Sequence, residues 1–546
     1  MFHVLEHIPD PVATFEKLWG LLIDEGYLFI EVPNIETNDA SPHNIYFKAH
    51  IHYFSEATLI ASASPYFEVI VSDNSSDLTW SGLLKKVISI SKFLIQLDIK
   101  KGESVAICMS NGSNALQIFY AIIYGGFRVT PLNLAAGPAA LGHAISHSKC
   151  NYILYDDEQS EILSNALEET NANPTTINVK NNTFENIKNN IQFHDLTPDD
   201  HALLMYTSGT TGVPKGVIHT HSSLLAGGWT TSVAHELDPN DRALCVLPLY
   251  HINGLCVTVM APLISGGSSV ICPKFSSSKF WQDCEKYTIT WFSVVPTIIS
   301  HLLHGKNDPS KIVCKNLRFG RSASAPLAID TQSNFENRFG VPIIETMGLT
   351  ETAAQILSNP LPPKQRKIGS PGIAFGNDVK ILKDDGTDQL VNIIGEIAVK
   401  GPNIMLEYLD NIEATQSTFI NGGWLLTGDL GYMDDDGYVF VSGRLKELII
   451  KGGENISPRE IDDALYAHKD VIEAAAFAIP CDIYGQRIEA AIRLSINSIA
   501  SEDEFIELCR SKLGKFKAPD RIYFLDELPK GPSGKIQRIK LLEITN

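Results

Sequence analysis

One stretch of the chain concentrates more chemistry than any other: Tyr206-Thr-Ser-Gly-Thr-Thr-Gly-Val-Pro-Lys215-Gly216. Thr207, Ser208, Gly209, Thr210, Thr211 and Gly212 are small or hydroxylated, so backbone N–H groups can approach an anion while hydroxyls add donors. Lys215 adds a full positive charge. Leu203 and Leu204 precede the stretch and VIHTH follows it, which predicts a loop leaving a strand. It is not the usual G-x-x-x-x-G-K-[ST] nucleotide loop, which would need Gly where Pro214 stands. A flexible linker would need neither the lysine nor the strand. Further along lie Thr350-Glu351, Gly428-Asp429 and Lys535. Taken singly, each is read as a cap, a turn or a solvated lysine.

Order and spacing reverse that reading. Glu345-Thr-Met-Gly-Leu-Thr350-Glu351 comes next, then Trp424-Leu-Leu-Thr427-Gly428-Asp429. Gly443-Arg444-Leu-Lys446-Glu447 follows with Gly452-Gly453-Glu454-Asn455-Ile456-Ser457-Pro458, and Pro529-Lys-Gly-Pro-Ser-Gly534-Lys535-Ile-Gln-Arg538 closes the series. Together with the loop these five segments resemble the adenylate-forming superfamily of acyl-CoA synthetases, peptide-synthetase adenylation domains and beetle luciferases. The resemblance covers about residues 77–546.

The resemblance implies ATP-dependent activation of a small-molecule carboxylic acid to an acyl-adenylate, with Mg²⁺, and transfer to the thiol of CoA. A carboxylate attacking an α-phosphate meets anion–anion repulsion, so cations and donors must surround the transferring group. By resemblance, Lys215 and the loop hold the β- and γ-phosphates, Glu351 is the Mg²⁺ ligand and Thr350 meets the α-phosphate. Asp429 accepts from the ribose hydroxyls, assisted by Arg444. Ser324, Ala325 and Pro326 lie along the adenine, and Glu345, Thr346, Met347 and Gly348 belong to the same ATP site. Lys535 bridges the substrate carboxylate and the α-phosphate. Met347 departs from the family, which usually has Tyr there, though Met can still pack against a ring.

For the thiol step, Lys446 occupies the family's hinge position, and Gly452 and Gly453 are expected near the pantetheine arm, where a missing side chain permits close approach. Pro248-Leu-Tyr-His251-Ile-Asn-Gly254 resembles the segment ending in the substrate gate of acyl- and aryl-CoA ligases, so His251 is assigned to the acid pocket. No Asp stands there to hold an α-amino group, which disfavours an amino acid. Ser358-Asn-Pro-Leu-Pro362 resembles oxalate- and small-acid-activating ligases. Two alternatives stay open: a phosphopantetheine carrier protein as acceptor, and a catalytically dead fusion.

The elements that must position these residues are those of a mainly α/β protein. The 546 residues carry 44 Lys+Arg against 63 Asp+Glu, a net charge of −19. Such an acidic chain without a basic block excludes nucleic acid as main partner. The nine cysteines never fall as C-x-x-C, and they predict reduced thiols in a cytoplasmic setting. No transmembrane segment is expected, since Leu255–Cys272 is broken by Pro262, Gly266 and Gly267. Strand–helix alternation over 77–375 predicts a parallel sheet covered by helices, and Asp-Gly pairs over 376–441 predict β-hairpins. The run Asp434-Asp435-Asp436 reads as a turn, because the closing Glu of a calcium loop is missing. Expected domains are a large AMP-binding adenylation body over 77–443 and a small mobile α+β lid over 444–546.

Residues 1–76 resemble the second half of a class I methyltransferase in Val4–Pro11, Gly26–Asn34 and His50–Leu59. The glycine-rich S-adenosylmethionine loop and acidic strand end of that family are absent, so this incomplete α/β fragment is expected to transfer no methyl group. His3-x-x-Glu6-His7 fits an H-x-x-E-H zinc pattern, but the methyltransferase match accounts for the same residues without a metal.

Overall fold

A strand covered by helices on both faces needs apolar residues at consecutive positions. SVAIC, HALLMY and WFSV have that pattern, and in the computed structural model each is a strand buried along nearly its whole length. The structure describes residues 68–71, 76–181, 184, 191–207, 214–495, 498–531 and 535–544, all within one compact unit, Ala63–Asn546. Of the stretch 1–76, expected from the sequence to resemble a methyltransferase, residues 1–67 and 72–75 lie outside the described residues, His3, Glu6 and His7 included.

β1 (Glu68–Val71) and β2 (Ser76–Thr79) form an antiparallel pair. The first large sheet contains β3 (Ser104–Cys108), β4 (Arg128–Pro131), β5 (Tyr152–Tyr155), β6 (Thr175–Asn178) and β7 (His201–Tyr206) in the parallel order β7-β4-β3-β5-β6. β8 (Gly216–Thr220) returns antiparallel beside β7. The second sheet runs in parallel as β10-β9-β11-β12-β13, from β9 (Arg242–Cys245), β10 (Ser268–Ile271), β11 (Trp291–Val294), β12 (Phe319–Ser322) and β13 (Ile343–Leu349). β14 (Ala354–Ser358) and β15 (Ile373–Ala374) extend it antiparallel. Helix α1 (His221–Ala234) and the π-helical segment Asn253–Met260 contribute Leu224, Leu255 and Val257 to the core cluster that also holds Trp291 and Phe319. Thr207, Ser324 and Thr350 all follow the carboxyl ends of strands, where open α/β sheets bind ligands.

The hairpin region consists of β16 (Asp378–Leu382), β17 (Gly395–Lys400), β19 (Phe419–Ile420), β20 (Trp424–Met433) and β21 (Val439–Arg444), while β18 (Glu407–Tyr408) joins the first sheet beside β8. Gly437 turns β20 into β21 with φ of +81°, as the Asp-Gly pair predicts. Asp434 and Asp436 both bind the ammonium of Lys367, at 2.5 and 2.6 Å. Helix α2 (Pro296–Leu303) follows β11.

In the C-terminal lobe, β22 (Ile449–Lys451), β23 (Glu454–Ile456), β24 (Val471–Cys481), β25 (Gly485–Leu494) and β26 (Arg521–Phe524) form one sheet. Helices α3 (Pro458–Tyr466) and α4 (Glu502–Leu513) pack on it through Ile461, Leu465 and Phe505 against Ile488 and Ile492. Each such buried side chain contributes about 1.5–3 kcal/mol. A serine caps each of these helices: Ser457 Oγ accepts from Arg459 N at 3.2 Å and Ser501 Oγ from Glu504 N at 3.4 Å. The nine cysteines form no disulfide, and no described helix is long and apolar enough to cross a membrane.

Candidate active site

The anion loop leaves the end of the β7–β8 hairpin. Thr207 N donates to the Lys215 carbonyl at 2.9 Å and closes its neck. Ser208, Gly209, Thr210, Thr211 and Gly212 lie outside the described residues. Pairing of Tyr408 with Val217 brings the Tyr408 ring under the Lys215 ammonium, 4.6 Å from its centroid. The phenol then donates to Glu351 Oε1 at 2.7 Å. Lys215, Tyr408 and Glu351 thus form a line of cation, ring and carboxylate. Burial and the Glu351 carboxylate push the Tyr408 phenol up, so it stays protonated as the donor.

Thr350 and Glu351 sit on a 3₁₀ turn that is held from behind. His219, fully buried, donates Nε2–H to the Thr350 carbonyl at 2.7 Å and pairs through Nδ1 with Ser223 Oγ at 3.0 Å, a tautomer fixed by these partners. Burial pulls its pKa down to about 4, which keeps the ring neutral. Met405 N donates to the Glu351 carbonyl at 2.8 Å, and Asn403 Nδ2 to the Thr352 carbonyl at 2.8 Å.

Asp429 on β20 stands opposite Arg444 on β21, and Arg444 Nε donates to Asp429 Oδ1 at 2.9 Å. Asp429 is only 5% exposed, and burial raises its pKa against the pull of Arg444. Arg444 is held above its ordinary value because Asp429, Glu447 and Glu351 outweigh its burial.

One cavity collects ten of the residues singled out in the sequence. Ser324, Ala325, Pro326, Glu345, Thr346, Met347 and Gly348 line it from the body, with Asp429 and Arg444. Lys535 lines it from the C-terminal lobe. Its loop is closed by Gly531 N donating to the Lys535 carbonyl at 2.7 Å, and Arg538 anchors the next helix on Asp462 at 2.5 Å. Burial, then Arg444, pulls the Lys535 pKa down to about 8 against Glu447 and Asp429.

The remaining residues are placed elsewhere. Lys215, Thr350, Glu351 and His251 are not among the cavity-lining residues; His251 packs against Tyr250 at 4.9 Å just before the π-helical segment. Lys446 is exposed on the short turn after β21. Gly452 and Gly453 form the tip between β22 and β23, with φ of +60° and +85°, and do not line the cavity. Tyr408, His219 and Glu447 were not singled out in the sequence. The pairing of β18 with β8 explains Tyr408, and a two-residue strand carries no periodic signal.

The donor set suits a nucleotide and a metal ion. Glu345 accepts from Leu327 N at 3.1 Å through Oε1 and keeps Oε2 buried without a partner, so an acceptor faces the cavity wall. Lys215, Arg444 and Lys535 are three cations of the kind that phosphates attract. A lone Glu351 carboxylate fits an oxygen-seeking cation that keeps water and phosphate ligands, as Mg²⁺ does.

The family model described as AMP-binding enzyme matches residues 60–409, and that of the AMP-binding enzyme C-terminal domain matches residues 460–535. The sulfoacetate–CoA ligase of Cupriavidus necator is 42% identical over 86% of this chain and 93% of its own. The oxalate–CoA ligase of Arabidopsis thaliana is 34% identical over 82% and 89%. The solved o-succinylbenzoate CoA synthetase of Bacillus subtilis, in complex with its acyl-adenylate intermediate, superimposes with a TM-score of 0.79 at 28% identity, covering 89% of this chain and 97% of that one. The chain belongs to the AMP-binding enzyme family.

Proposed function

We propose that this ligase activates a short carboxylic acid carrying a second anionic group. The reaction is ATP-dependent: the acid becomes an acyl-adenylate with loss of pyrophosphate, and the CoA thiol then takes the acyl group with loss of AMP. Sulfoacetate, oxalate and o-succinylbenzoate, named for the relatives, all carry a second anion, and the first two are short, which supports the substrate class. The observation that carries the site assignment is Lys535 entering the cavity that Asp429 and Arg444 line.

In this reading Asp429, oriented by Arg444, accepts the ribose hydroxyls, and Ser324, Ala325, Pro326 and Met347 flank the adenine beside the Glu345 carboxylate. Lys215 and the loop Thr207–Gly212 hold the β- and γ-phosphates. Glu351 holds Mg²⁺, which when bound neutralises phosphate charge. Thr350 donates to the α-phosphate. Lys535 spans the acid and the α-phosphate while a carboxylate oxygen bonds to phosphorus and the pyrophosphate oxygen departs with its electron pair. His251 borders the acid. In the second step the thiolate sulfur bonds to the acyl carbon and the phosphate oxygen of AMP leaves. The lobe over 444–546 turns about Lys446 against the body over 77–443, bringing Gly452 and Gly453 to the pantetheine arm. Residues 1–76 are read as a methyltransferase-like piece. The enzyme acts in the cytoplasm, which supplies both ATP and CoA.

Pyrophosphate release is the test. Acid-dependent release is expected with short diacids, and AMP with acyl-CoA once CoA is added. Lys535→Ala should slow acid-dependent release roughly 10²–10³-fold, the usual loss for one transition-state donor. Release undiminished by that substitution would remove Lys535 from the chemistry. Replacing CoA by a phosphopantetheinylated carrier protein tests the alternative acceptor.

A further inference from the structure

A fully charged side chain lies buried behind the cavity wall without an ionic partner. Arg321 on β12 is 1% exposed. Its Nη1 donates to Asn253 Oδ1 at 2.7 Å and to Ser293 Oγ at 3.0 Å, while Nε and Nη2 make only long contacts to Gln355 Oε1, at 3.4 and 3.5 Å. All three partners are neutral, and among the described residues no carboxylate bonds to Arg321. Two other titratable neighbours supply no counter-charge. The Cys256 thiol is pushed up to about 12 by burial, and His235 is held neutral by burial and by Arg321 itself. Burial pulls the guanidinium down to about 9, which still leaves it charged at neutral pH. Unpaired buried charge is costly, and proteins ordinarily pair it or coordinate it.

The cluster lies behind the part of the cavity wall that Ser324 forms. Asn253 is two residues beyond His251, and its Nδ2 donates to Ser324 Oγ at 3.1 Å. Ser324 lines the cavity and has φ of +72°, a conformation that this bond helps to hold. Ser293 is followed on the chain by Val295, Pro296 and Thr297, also in the lining.

We propose that Arg321, framed by Asn253 and Ser293, recognises the second anionic group of the substrate, a carboxylate or sulfonate that supplies the missing counter-charge. The assignment rests on the reading that the acid has such a group. The anion takes Nη2, whose one described bond is the 3.5 Å contact to Gln355. A site that leaves a charge unpaired with a neutral ligand rejects that ligand strongly.

The test places a carboxylate inside the protein where the substrate's would go. Asn253→Asp and Gln355→Glu are near-isosteric and should each pair with Arg321 from opposite sides. Both, with Arg321→Met, are assayed on sulfoacetate against its neutral analogue methylsulfonylacetate, and on oxalate against its monomethyl ester. Wild type is expected to prefer the diacid in kcat/KM, and each variant to narrow that preference roughly tenfold or more, chiefly through KM for the diacid. The two internal-carboxylate variants keep the test alive if Arg321→Met fails to fold. A preference retained in folded Asn253→Asp and Gln355→Glu overturns the assignment to Arg321 while leaving the diacid reading intact. A wild type that uses the neutral analogues equally well overturns the diacid reading, and the assignment with it.

Discussion

At the scale of the residue, Lys535 shows how its surroundings set its working range. Burial first, then Arg444, holds its pKa near about 8, against the opposing pull of Glu447 and Asp429. The ordinary lysine value is roughly 10.4, so the folded protein disfavours the ammonium. The charged form is therefore lost as pH rises through about 8 in the free enzyme, and with it the cation proposed to bridge two anions. kcat/KM for acid-dependent pyrophosphate release, which reports free-enzyme groups, should fall above pH about 8. Lys535→Arg keeps its charge throughout that range. Its residual rate, lower because the longer planar head is misplaced, should lack this alkaline limb. A limb near pH 8 that survives in Lys535→Arg would belong to another group.

At the scale of the element, strand register assembles what sequence proximity does not. Asp429 and Arg444 were both named from motifs, but only the β20–β21 register sets them opposite one another. Tyr408 escaped notice because its partners, Lys215 and Glu351, lie far away in sequence. Arg321 was hidden in the short strand FGRS, whose neighbours give a fully buried strand and no hint of a charge site. The π-helical segment Asn253–Met260 is buried at all eight residues, so no amphipathic period marked it. The strand ends carrying the motifs, by contrast, were legible because apolar run and functional loop are adjacent along the chain. The β13–β14 pair gives a prediction at this scale. Register shifts between Met347 and Gly348, and a Cβ on Gly348 would overlap the Ala354 carbonyl oxygen. Gly348→Ala must therefore separate the two strands at the bulge, moving Met347 and the Thr350–Glu351 turn together. Equilibrium denaturation should show a loss of about 2 kcal/mol, in the usual range for overpacking. Pyrophosphate release should fall further than that loss of folded protein explains.

At the scale of the whole molecule, the proposed turn of the C-terminal lobe depends on how firmly that lobe is held against the body. Ser300 on α2 donates to the Ile472 carbonyl at 2.8 Å, and His301 Nε2 lies 3.6 Å from Glu473 Oε1. Glu473 is wholly buried on β24 and also meets Lys530 at 2.7 Å and Arg493 at 3.5 Å. One carboxylate therefore ties the core strand of the lobe to the stretch leading to Lys535, and it touches the body as well. Burial alone would raise its pKa, but the facing His301 and the Lys530 ammonium win and bring it down to about 2. A carboxyl depressed on folding stabilises the protein above its unfolded value, roughly 4.3, and that contribution fades as pH falls toward about 2. The shift corresponds to about 3 kcal/mol at neutral pH. Glu473→Gln should accordingly speed amide exchange in β24 and β25 at pH 7, and the difference from wild type should shrink on acidification to pH 3. Because the same variant also leaves Lys530 only the exposed Glu527 and loosens the approach to Lys535, it should slow adenylation more than acyl transfer from preformed acyl-adenylate to CoA. Equal slowing of both half-reactions would mean that the Glu473 cluster stabilises the lobe without biasing its position on the body.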